Sequence, residues 1–232
     1  SYRLGYLPTA LLVSNPQRDM ASFPLYPVQA LRCFKRAHRL SRKRQMPAEQ
    51  ARALHWAGLA YLNMNFFRSA RDHLYAALKI IDGVHVEVDK ARILMGVAYY
   101  HRQLGINWIH KRKDFQISLD FYTQAYEHAR VSESPLDEMI CLEALGQAYV
   151  RTGDDKKAIE IFQEGLEKSR QFNLKFFEIE FLVALAIRYE LVDANLSLET
   201  LKKAHALSQE LGSFSVNIVR TMALICWRDR RL

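Results

Sequence analysis

A two-part apolar pattern recurs along this chain, and it leaves little freedom for anything but paired helices. Its clearest copy runs from Leu145 to Leu166, LGQAYVRTGDDKKAIEIFQEGL. Leu142, Leu145, Ala148 and Tyr149 stand three or four positions apart, which places them on one face of a helix. Thr152-Gly153-Asp154 then ends that helix. Gly153 suits the left-handed position past a helix C-terminus, and Asp154 or Asp155 can cap the helix that follows. Ala158, Ile161, Phe162, Gly165 and Leu166 supply the second apolar face. Small residues at Gly146, Ala158 and Gly165 allow the two backbones to approach, with Tyr149 and Phe162 filling the space between them.

The same order returns elsewhere. Ala57-Gly58-Leu59-Ala60-Tyr61 is followed by Ala70, Leu74 and Ala77, and Met95-Gly96-Val97-Ala98-Tyr99 by Ser118, Tyr122 and Ala125. An insertion at about Gly105 to Phe115 separates the halves of that second copy. Leu185 to Tyr189 opens a further copy, closed one residue early by Ser197, Leu201 and Ala204. Ala30, Phe34 and Ala37 match the second half alone. A unit that recurs in this way cannot bury its apolar faces by itself and gains a core by stacking on its neighbours.

These positions resemble the tetratricopeptide (TPR) repeat, which keeps a leucine-glycine pair, a tyrosine, an alanine and a phenylalanine in this order. The resemblance implies an all-α TPR-type helical-hairpin solenoid, a right-handed superhelix with a C-terminal capping helix. Its expected organisation is an irregular lead-in over 1–24 and an array over 25–212, followed by a helix over 213–232. Within the array the half-repeat covers 25–46 and the repeats about 51–84, 89–131, 139–172 and 179–212. Gly58 and Gly96, like Gly146 and Ala186, stand about 40 positions apart against ~34 in the minimal repeat, so the helices are long. Elongated repeats of this kind resemble two TPR subgroups, eukaryotic adaptors that bind peptide segments and bacterial regulators that respond to signalling peptides.

Composition agrees with helix. Half of the 232 residues are hydrophobic while glycine and proline number only 9 and 6, a poor supply for a fold of strands and turns. Apolar runs fall short of the ~20 residues of a membrane span, and Ala10 to Val13 is too short for the core of a signal peptide. Cys33, Cys141 and Cys226 are odd in number, far apart and on apolar helical faces. They read as buried reduced thiols, which places the chain in a reducing, cytoplasmic setting. The formal charge of +8 is concentrated near the start, where nine Lys/Arg in residues 1–50 face only Asp19 and Glu49. A helix from Val28 to about Arg44 sets Leu31, Phe34, Ala37 and Leu40 against Arg32, Lys35, Arg36, Arg39, Arg42 and Lys43. That basic patch is either a solvated outer face or a contact for an acidic partner, nucleic acid or an anionic surface. Aromatic residues that would stack on bases are missing from it.

Catalytic signatures are not found. No GxSxG elbow, HExxH or GxxxxGK[ST] occurs, and the histidines lie singly along the helices, so neither a catalytic set, a metal site nor a cofactor is expected. The insertion carries Trp108, Lys111 and Arg112, either as a loop beside a longer helix or as a recognition loop, since repeat proteins place insertions on one face.

The resemblance also implies a ligand surface. In this family the first helix of each repeat lines a concave groove, and matching positions give Arg52, His55 and Asn63, then Lys90, Tyr100 and His101, then Glu143, Gln147 and Arg151, and finally Glu190. Two family patterns are not met. His55 and Leu59 stand where a clamp for C-terminal carboxylates carries Lys and Asn, and Leu59, Val97 and Ile187 replace the asparagine with which adaptors hold a peptide backbone. Gln147 alone is similar in character. The expected function is a non-enzymatic scaffold that binds a partner protein segment in the groove. The alternatives are a peptide-responsive sensor domain of a regulator, and nucleic-acid binding through the basic helix. The apolar C-terminal helix calls for either a further repeat or self-association.

Overall fold

The computed structural model describes residues 27–107, 111–190 and 192–212. The expected lead-in over 1–24, Trp108 and the helix over 213–232 lie outside them. Among the described residues the regular structure is α-helical throughout: α1 (Pro27–Lys43), α2 (Pro47–Asn63), α3 (Phe67–Ile81), α4 (Glu87–Asn107), α5 (Lys111–Val131), α6 (Pro135–Thr152), α7 (Asp155–Gln171), α8 (Lys175–Tyr189) and α9 (Ala194–Glu210). The fold class is all-α, built of TPR-type helical hairpins.

One turn chemistry recurs between them. Gln45, Asn65, Gly153 and Asn173 all take positive φ just past a helix end. The residue after each sends its N–H back to a carbonyl of the finished helix: Met46 to Ser41, Phe66 to Tyr61, Asp154 to Tyr149 and Leu174 to Ser169, at 2.8–3.0 Å. This closes the orphan carbonyls of a helix C-terminus and reverses the chain in two or three residues. Asp154 caps the next helix by accepting from the Lys157 N–H at 3.1 Å.

The chain falls into two compact units, one up to Ala148 and the other from Tyr149, so α6 contributes to both. In the first, α2 packs on α1 and α3, and α4 on α2, α3 and α5. The backbones come close where the sequence is small. A Cβ on Gly58 would lie 2.6 Å from Leu74 Cγ, and Ser118, 1 % exposed, donates its hydroxyl to the Ala98 carbonyl at 2.8 Å. Every residue of α4 from Ile93 to Tyr100 is buried, as expected of a helix enclosed on all sides rather than amphipathic. The segment around the insertion continues helix: α4 and α5 are 21 residues each, and Gly105 lies against the Phe115 ring.

In the second unit α8 packs between α7 and α9. Ile179, Leu182 and Ala186 meet Leu201, Ala204 and Leu207 in one core. Ser197 repeats the serine device, donating to the Ala186 carbonyl at 2.7 Å. Gly165 admits the Phe181 ring so closely that a Cβ there would lie 2.3 Å from it. Of the cysteines, Cys141 is buried against the Met95 sulfur at 3.2 Å, and burial pushes its thiol pKa up. Cys33 departs from expectation and is exposed, because it lies off the stripe of Leu31 and Ser41 that α1 buries. Cys226 lies outside the described residues.

Candidate partner-binding surfaces

Charged side chains join the N-terminal ends of the first helices. Arg52 on α2 reaches Glu49 at 2.7 Å and the buried Asp89 of α4 at 3.3 Å. Arg92 on α4 then holds Asp137 of α6 through two hydrogen bonds, and Ser134 donates a third to the same carboxylate at 2.6 Å. Burial raises the Asp89 pKa, against the pull of Arg52 and Arg92. Lys90 pairs with Asp82 at 3.2 Å.

Several residues placed on the groove by family position occupy interior sites. His55 is 7 % exposed and its ring presses on Gly96, where a Cβ would lie 2.7 Å from its Cε1. Its Nδ1 finds no hydrogen-bond partner. Burial, reinforced by Arg92, lowers its pKa to about 4, so it is a neutral imidazole. Tyr100, 6 % exposed, belongs to the core cluster of Leu62, Ala70, Leu74 and Val97. His101 turns towards the second helices: Nδ1 lies 3.1 Å from Asp114 on α5, Nε2 lies 2.8 Å from the Tyr75 hydroxyl on α3, and its ring stacks on Phe121. Glu143 is 8 % exposed. His55 and Glu143 are packed within α2 and α6, and Tyr100 closes the stretch of α4 from Ile93 to Tyr100 that is buried throughout, so stacking takes up these positions.

The other expected positions are more accessible. Arg52 and Arg151 are exposed, while Asn63, Lys90, Gln147 and Glu190 are half-buried. On α1, Arg32, Arg36, Arg39 and Lys43 are all exposed, and the helix contains no carboxylate to neutralise them. Arg112 is exposed on α5; the Lys111 side chain lies outside the described set.

Beside that basic helix is a feature the sequence reading missed. Phe34, Lys35, His38 and Arg39 of α1, Ala53, Leu54 and Ala57 of α2, and His73 of α3 line a cleft of about 220 Å³. The available signal was the pair of small residues Ala53 and Ala57, four apart on α2, of which only Ala57 entered the sequence reading, as part of the repeat motif. Equally missed were Asp89 and Asp137, whose arginine partners lie in another repeat. Among the described residues no three His, Cys, Asp or Glu side chains are grouped so as to hold a metal ion, and no described helix is long and apolar enough to cross a membrane.

The tetratricopeptide repeat family matches over residues 106–171. No curated protein sequence matches the chain. Among solved structures, the apo form of RapI superposes with a TM-score of 0.68 at 17% identity, covering 78% of this chain and 65% of its own. BtubC (BKLC) from P. vanneervenii gives 0.70 at 15% identity, covering 90% and 82%. A signal transduction ATPase with numerous domains (STAND) from Pyrococcus horikoshii, described as having a tetratricopeptide repeat sensor, gives 0.61 at 16% identity. That match covers 94% of this chain and 35% of the ATPase. The chain therefore spans less than two thirds of RapI and about a third of the ATPase.

Proposed function

We propose that this chain, whose helical hairpins are tetratricopeptide repeats, is a non-enzymatic interaction module that binds a segment of a partner protein through the first helices of its repeats. Such repeats are in general protein–protein interaction modules. The observation that carries the reading is how the side chains divide. Stacking consumes the large apolar residues of the first helices, as in α4, and leaves cations such as Arg52, Lys90 and Arg151 at the surface. Surfaces of this kind recognise a partner through charge and hydrogen bonds.

A second reading has a specific support. One structural neighbour carries its tetratricopeptide repeats as a sensor, within a chain much longer than this one. On that reading a short peptide occupies the first helices and a domain elsewhere reads the change.

Capture from the source cell tests both, with the native chain as bait beside Lys90→Glu and Arg151→Glu variants. A protein held by the native chain and lost with either variant supports the module. Recovery of a short peptide instead supports the sensor. Capture indifferent to both substitutions overturns the first-helix assignment.

A further inference from the structure

The cleft between α1 and α3 lies on the side of the second helices, away from the surface just proposed, and stands independently of it. Its origin is visible in the repeat register. Matching Gly58 to Gly96, Ala70 to Ser118 and Ala30 to Ala70 sets Ala57 against Met95, His73 against Phe121 and Lys35 against Tyr75. In the next repeat the two aromatic positions are filled. Tyr75 and Phe121 pack edge to face at 6.3 Å, and His101 stacks on Phe121. Between α1 and α3 the smaller Ala57 and the shorter His73 leave the space open.

We infer that this cleft is a docking site for an acidic segment of a partner protein that inserts one large apolar side chain. The floor is apolar: Ala53, Leu54 and Ala57 are all at least nine-tenths buried, and Phe34 closes one wall. At about 220 Å³ the cavity is below the ~300–1,000 Å³ of small-molecule sites and suits a single side chain. The rim is cationic. Lys35 and Arg39 border the opening, Arg32, Arg36, Arg42 and Lys43 extend the charge along α1, and that helix has no acid of its own. His38 forms part of the wall. An apolar socket ringed by uncompensated cations is the complement of an apolar anchor flanked by carboxylates. Nucleic acid needs phosphate contacts and stacking platforms, and the described outer face of α1 offers only the first.

Panning a random twelve-residue peptide display library against the whole chain tests the inference, followed by solution affinities of the enriched peptides. The expected result is enrichment of sequences with Asp/Glu around one Phe, Leu, Ile or Trp. Their binding should weaken tenfold or more with Ala57→Met, which puts a long side chain on the floor of the cleft, and with Lys35→Glu/Arg39→Glu. It should leave the Lys90→Glu variant unaffected, which separates this site from the first-helix surface. Should Ala57→Met fail to fold by circular dichroism, His73→Phe fills the same space. Enrichment of neutral or basic peptides overturns the proposal, as does no enrichment, affinity indifferent to the filling variants, or displacement of the peptides by a short oligonucleotide at lower concentration than by free acidic peptide.

Discussion

Arg92 grips Asp137 with its guanidinium edge, Nε to Oδ1 at 2.7 Å and Nη2 to Oδ2 at 2.9 Å, tying α4 to the first turn of α6. The Asp137 side chain is 2% exposed and that of Arg92 32%. Removing the cation strands a buried charge beside the Ser134 hydroxyl. Arg92→Ala is expected to cost about 2–3 kcal/mol, somewhat below the ~3–5 of a fully buried pair because the arginine side is wet. Arg71→Ala, at an exposed pair, should leave stability nearly unchanged. Urea unfolding of both variants measures the difference, and equal stabilities would deny the pair its structural role.

His55 makes stability depend on pH. Its pKa is lowered from 6.5 to about 4 in the folded chain. Above pH 6.5 both states are neutral and the full stability is present. Between there and pH 4 the unfolded chain takes up the proton and the folded one resists it, so stability falls with pH by about 2–3 kcal/mol at pH 4.5. The raised pKa of Asp89 acts in the opposite direction, since its folded form protonates first. Comparing the native chain with His55→Leu cancels that contribution. The variant should show a flatter stability curve between pH 7.5 and 4.5; parallel curves would place the proton elsewhere.

The close approach at Gly165 can be tested by a double-mutant cycle. Phe181 is fully buried, and Phe162 and Phe177 sit 6.5 and 6.4 Å away, which keeps the ring from swinging aside. Gly165→Ala therefore overpacks the α7–α8 contact and should cost about 1–3 kcal/mol. Phe181→Leu trims the atoms that the new methyl meets. In the double variant the combined loss should be smaller than the sum of the single losses by about 1 kcal/mol or more, as for residues in contact. Simple additivity would mean the two do not touch.

The hairpins were legible because their signals are local. Ala70, Ala158 and Ala204 mark buried small positions of the second helices, and Gly153 announces its own turn, whereas Gly165, expected to face α6, meets Phe181 of α8. Side-chain direction was legible only where one face stays free. Tyr100 and His101 follow the family spacing, yet the unbroken apolar run Ile93 to Tyr100 marks a helix without a free face, and α4 is wrapped there by α2, α3 and α5, neighbours that the spacing does not identify. Arg92 and Asp137 are 45 positions apart, so their pairing depends on stacking that periodicity cannot locate. The cleft was hidden for a related reason: it is the absence of a filling side chain at Ala57 and His73, and it becomes visible only when one repeat is laid over the next.

The turns supply a paired prediction in which backbone conformation acts alone. Gln45 is held at φ 54° and Gly153 at φ 87°. Gln45 has an exposed side chain, and the backbone bond its N–H makes to the Arg42 carbonyl at 3.2 Å is available to any residue but proline. An L-residue in the left-handed region costs roughly 1–2 kcal/mol, while glycine adds about 0.5–1 kcal/mol of chain entropy to the unfolded state. Gln45→Gly should therefore raise stability slightly, by up to about 1 kcal/mol. At Gly153 a Cβ would meet nothing within 4 Å, so a loss on Gly153→Ala comes from φ and not from a clash. That loss should be about 1 kcal/mol. Thermal unfolding should move the two midpoints in opposite directions. A fall in both would mean that the Gln45 side chain makes a contact of its own, outweighing the strain it carries.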